Sequence, residues 1–164
     1  LYSAINEAKV VSHVTELKEL SKAVESYMID VGSDLPIYAP GSKTRVLESL
    51  VTSSEKGWAG PYIGLTPIPA AKYALFASDN LRIYHLYHCK VTLTGDGCEE
   101  CDDTAACGAF IKIDNPSPTS LFYDYDDKID GGDGLTVGNF RVDWVTQDVD
   151  GRGYLKIIPQ VLSN

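Results

Sequence analysis

A chain of 164 residues with 44% apolar side chains can bury the core of one ordinary domain, which excludes wholesale disorder. Its formal net charge of -9 argues against nucleic acid and against an anionic membrane surface, since both are bound through clustered Lys and Arg. No stretch approaches the roughly 18 apolar residues that span a bilayer.

The first element is a long helix, predicted over Ser3 to Val31. Apolar residues recur three or four apart at Ile5, Ala8, Val11, Val14, Leu17, Leu20, Val24, Met28 and Val31. Asn6, Glu7, Lys9, Ser12, Glu16, Lys18, Glu19, Lys22, Glu25 and Ser26 make the wet face between them, with His13 on or near it. Gly32 is suited to the left-handed position after the helix end. About 29 residues at 1.5 Å each give a rod of roughly 43 Å, longer than a domain of this size needs. Residues before about Val14 are therefore expected to project from the globular head. Leu1 stands almost inside the helix pattern with no signal-peptide pattern ahead of it. That start reads as a cut end, with a naturally matured secreted chain as the rival.

Residues 32–71 read as a loop region. Ser33-Asp34-Leu35-Pro36 leaves the helix, Pro40-Gly41 marks a turn, and Leu47 and Leu50 point inward from one or two helical turns over Val46 to Val51. Gly57-Trp58-Ala59-Gly60-Pro61-Tyr62-Ile63 is a sharp aromatic turn whose Trp58 and Tyr62 can lock the loop onto the helix. From 72 to 164 the pattern changes to strand. Lys72–Ala77 and Leu81–Tyr87 flank Ser78-Asp79-Asn80 as a hairpin, with Lys90 to Leu93 extending the second strand. Ala109–Ile113 is stopped by Asn115-Pro116-Ser117-Pro118. A short strand at Leu121–Tyr123 leads into an acidic Gly-rich loop from Asp124 to Gly134. Phe140–Val145 and Gly153–Ile158 complete a β-rich head. The fold class is α+β: one domain, 1–164, with a long N-terminal helix packed on an antiparallel sheet.

Enzyme chemistry finds no support here. Gly-x-Ser-x-Gly, His-Glu-x-x-His and a phosphate-cradling glycine loop are all missing, and His85 and His88, three apart in a strand, point to opposite faces. Cys89, Cys98, Cys101 and Cys107 are an even, clustered set, expected to form two disulfides in an oxidising compartment. A four-cysteine zinc site is the rival, but only Cys98 and Cys101 have the two-residue spacing. Asp124-Tyr125-Asp126-Asp127-Lys128-Ile129-Asp130 and the glycines after it pack carboxylates that repel unless solvated or neutralised by a hard cation. This is not an EF-hand, because Ile129 takes the place of the required Gly and Leu135 that of the closing Glu.

The helix end Tyr27-Met28-Ile29-Asp30-Val31-Gly32, the loop with Pro36, Leu47 to Val51, and Trp58-x-Gly60-Pro61-Tyr62-Ile63 together resemble the type IV pilin superfamily. They are most similar to the major pseudopilin of type II secretion. The resemblance covers residues 1 to about 65. It implies a pilin-like fold and a structural subunit of an extracytoplasmic filament, anchored in the inner membrane before assembly by an apolar half-helix expected ahead of the cut start. The partners it implies are copies of the chain and related minor pilins or pseudopilins. It also implies a calcium site in the C-terminal loops, with Asp124, Asp126, Asp130 and Asp133 as the expected ligands. The alternative is a soluble, secreted, calcium-dependent binding module whose helix merely packs on its own sheet.

Overall fold

The computed structural model describes residues 1–89, 108–114, 121–146 and 150–158. Helix α1 spans Tyr2–Val31, about 45 Å of uninterrupted rod. It ends at Gly32, where φ is 76° and the amide donates to the Met28 carbonyl at 2.9 Å.

The buried stripe of α1 differs in one respect from the predicted one. It follows Val10, His13, Leu17, Leu20, Val24 and Tyr27, an alternating three-four spacing that keeps one seam toward the sheet. Ile5, Ala8 and Val11 lie off that seam and are exposed, Ile5 at 59% and Val11 at 47%. Every residue from Leu1 to Lys9 is exposed, and burial begins at Val10. Each apolar side chain buried beyond that point stabilises the packing by roughly 1.5–3 kcal/mol.

The loop region carries a 3-10 turn at Leu47–Leu50, with Leu47 and Leu50 fully buried. The aromatic turn does fasten onto the helix end. Trp58 Nε1 donates to the Ser49 carbonyl at 2.8 Å, and Tyr62 Oη donates to Asp30 Oδ2 at 3.0 Å. The Tyr62 ring meets Tyr27 edge to face, and the Gly60–Pro61 peptide is cis.

Six strands form one antiparallel sheet: β1 (Thr66–Ile68), β2 (Ala71–Phe76), β3 (Ile83–Cys89), β4 (Gly108–Asp114), β5 (Phe140–Thr146) and β6 (Asp150–Ile158). Their spatial order is β1-β2-β3-β4-β6-β5. Because side chains alternate across the pleat, register fixes the core. Leu86 pairs Ile111, Ile111 pairs Leu155 and Leu155 pairs Phe140, one apolar row crossing four strands toward α1. Gly153 occupies the neighbouring row for lack of room. A Cβ there would stand 2.8 Å from Phe122 and 3.0 Å from Phe140.

The chain crosses from β4 to the far edge strand β5 through a second helix, α2 (Leu121–Asp130). The strand predicted at Leu121–Tyr123 and the open loop predicted from Asp124 are therefore corrected to helix. Leu121, Phe122 and Tyr125 are buried, and Ile129 packs against the same core. That is a helical stripe which the surrounding aspartates obscure in the sequence. Asp124 in the first turn and Lys128 in the last also suit the helix dipole.

Candidate metal centre

The end of α2 and the turn into β5 bring three carboxylates together. Asp126 and Asp130, four apart, share one face of α2. After Asp130 the chain reverses through Gly131 and Gly132, whose φ values are 75° and 77°. Their amides cap the helix on the Asp127 and Asp126 carbonyls, and the reversal returns Asp133 to the same face. Oxygens from Asp126, Asp130 and Asp133 all lie within 4.8 Å of one another. Calcium–oxygen distances of about 2.3–2.6 Å let oxygens so spaced reach one central ion.

The three carboxylates are not equivalent. Asp130 is half-buried and held in place: Oδ2 accepts the amides of Asn139 at 2.9 Å and Phe140 at 2.6 Å, and Oδ1 accepts Asn139 Nδ2 at 3.0 Å with one lone pair left over. Asp126 is 3% exposed. Its Oδ2 accepts the Gly134 amide at 3.0 Å, while Oδ1 is buried without a hydrogen-bond partner among the described residues. A buried acceptor left open costs about 1–3 kcal/mol unless something fills it. Asp133 is exposed, and its carboxyl is pushed above the usual range by desolvation and by the charges of Asp130 and Asp126. Gly138 completes the pocket wall. Its φ is 75°, and a Cβ there would come within 2.7 Å of both Asp130 and Asp133 carboxylates. All donors are oxygens, which fits a hard cation and not a soft one.

Asp124, the fourth predicted ligand, stands apart. Two residues before Asp126, it lies about 200° round the helix and is exposed beside Asn6 and Glu7 of α1. The period of α2 separates what the sequence spacing puts together. Cys89 is disulfide-bonded. Cys98, Cys101 and Cys107 lie outside the described residues, as do Lys90 to Leu93 and Asn115 to Pro118.

Two buried polar networks escaped the sequence reading. The first fastens α1. Glu16, placed on the wet face by its charge, is 9% exposed. It accepts from Tyr84 Oη at 2.7 Å, Arg82 Nη2 at 3.2 Å and the Ser78 amide at 3.2 Å. Arg82 Nε in turn donates to Asp79 Oδ2 at 2.9 Å. His13 is likewise buried, not on the polar face. Its Nδ1 shares a hydrogen bond with Tyr125 Oη on α2, and Nε2 faces Asp79 at 3.4 Å. Burial and the Arg82 charge hold His13 down to about 4. Burial pushes Tyr125 up to about 12. The signal for His13 was available, because residue 13 falls in the seam with Val10, Leu17 and Leu20.

The second network sits under β3. Arg45 Nη2 donates to His88 Nδ1 at 2.7 Å, so the opposite ring N–H faces Asp34 Oδ2 at 2.8 Å. Burial, then Arg45, lowers His88 to about 3. His85 points the other way, to Asp114 Oδ2 at 2.9 Å, so the two histidines do not converge. Among the described residues no helix is long and apolar enough to cross a membrane. No protein-family model, curated protein or solved structure matches the chain.

Proposed function

We propose that this chain is a structural subunit of an extracytoplasmic helical filament, a type IV pilus or a type II secretion pseudopilus. The observation that carries the reading is the division of α1 into a buried part and a bare part. From Val10 onward the helix is built into the head, whereas Leu1, Tyr2 and Ile5 expose apolar surface that no described residue buries. An apolar helix end held rigidly in water is costly in a monomer and useful in an assembly, where neighbouring helices cover it. Copies of the chain, and related minor pilins or pseudopilins, are the partners this assigns. The test is electron microscopy of the full-length gene product. Thin fibres that bind antibody to this chain support the proposal. A full-length product that stays monomeric, with no apolar segment running into α1, overturns it.

In this reading calcium staples the end of α2 to β5 through Asp126, Asp130 and Asp133, with backbone carbonyls and water completing the shell. Calcium accepts six to eight oxygens in loose geometry, which suits three unequal carboxylates on a turn. Restoring calcium after chelation should raise the unfolding midpoint, by about 2.7 kcal/mol of stability at a hundredfold excess over the dissociation constant. Asp126→Asn should abolish that response. A wild-type midpoint that ignores calcium removes the site.

A further inference from the structure

Where the bare end of α1 meets α2, a cleft of about 460 Å³ opens between Asn6, Glu7 and Val10 on one side and Asp124, Asp127 and Lys128 on the other. Lys128 also borders a smaller hollow that continues along α1 past Val11 and Val14 to Lys18. Lys128 lies 3.4 Å from Glu7, so the lysine in the cleft already has its counter-charge. Asp124 and Asp127 are exposed and make no ion pair among the described residues. Further along the same side of α1, Lys18 and Lys22 are exposed and four apart on one face, and they make no ion pair among the described residues. The molecule thus displays two free carboxylates at one level and two free ammonium groups further along the rod.

We infer that the cleft seats α1 of a second copy, with that copy's Lys18 and Lys22 against Asp124 and Asp127. The inference rests on the filament reading, which needs a head-to-tail contact that does not close on itself. An antiparallel pairing of the same charges would close into a dimer, whereas a parallel pairing leaves each copy one free patch. Lys18 and Lys22 follow Glu7 by 11 and 15 positions, so a parallel partner is displaced by about 16–22 Å along the axis. Val11, 47% exposed, supplies apolar surface beside the charges. The charges contribute register and orientation more than affinity. The contact is therefore sensitive to salt.

The experiment is zero-length carbodiimide coupling of mixed isotopically light and heavy copies, concentrated until they self-associate, followed by mass spectrometry. Mixed light-heavy amides from Lys18 or Lys22 to Asp124 or Asp127 are expected. They should be lost in Asp124→Lys/Asp127→Lys and in Lys18→Asp/Lys22→Asp, and should return when these two variants are combined. All four positions are exposed, and circular dichroism checks that each variant stays folded. Self-association with only the internal Lys128–Glu7 amide overturns this contact and leaves the filament reading standing. A chain that does not self-associate even at full length overturns both.

Discussion

At the scale of single residues, His13 decides how stability follows pH. Its folded-state value of about 4 lies below the ordinary 6.5, because burial and Arg82 disfavour the charged ring. The unfolded chain therefore binds a proton first as pH falls, and protons taken up by the unfolded state destabilise the fold. Stability from this group is fully present above about pH 6.5 and is lost between about 6.5 and 4. His13→Gln cannot titrate there, so urea unfolding across that range should show a shallower slope for the variant than for the wild type. Equal slopes would place the pH dependence elsewhere. His88, lowered to about 3 inside the Arg45–Asp34 network, adds to the same trend and continues it further into acid.

At the scale of elements, Glu16 joins α1 to the β2–β3 turn. Removing its carboxylate leaves Arg82, 2% exposed, facing a phenol and, among the described residues, one remaining anion, Asp79. Breaking a buried pair costs about 3–5 kcal/mol, and the surviving Asp79 puts Glu16→Ala toward the lower end. The readout is the urea midpoint at unchanged m-value; a loss under about 1 kcal/mol would mean the network is solvated. The elements were unevenly legible. Helix α1 was readable from apolar residues recurring every three or four positions, and β2 to β6 from short apolar and aromatic runs, although β6 begins at Asp150, ahead of the predicted Gly153. Strand β1 was not, being three residues long with Pro67 at its centre, a composition confined to sheet edges. Helix α2 was hidden because Leu121, Phe122, Tyr125 and Ile129 are interleaved with as many carboxylates, whose mutual repulsion reads as a loop. The same helix explains why the metal-site residues could be named in part only. Spacing along the sequence finds aspartates, but only helical phase turns Asp124 away from Asp126. The charged groups of the two buried networks look like solvent-facing residues until their partners from distant strands are known.

At the scale of the whole molecule, the head and the bare helix end make separable contributions. Residues 1–9 bury no side chain in the head, so a chain starting at Val10 should unfold within about 0.5 kcal/mol of the parent. The same truncation should lose self-association, measured by sedimentation. A large drop in stability would show instead that the bare end supports its own head. The way α1 is fastened also sets how the molecule answers force. Tension on Tyr2 travels down a stiff rod and, past the exposed Glu7–Lys128 pair and Val10, meets its first buried hydrogen bonds at His13 and Glu16, where one helix face is tied to both α2 and the β2–β3 turn. Short directional bonds to Tyr125, Tyr84 and Arg82 then bear load before the apolar seam behind them begins to slide. Such bonds resist a small displacement steeply and let go abruptly, so the head should yield to pulling in a single brittle step at this clasp, earlier in acid than at neutral pH.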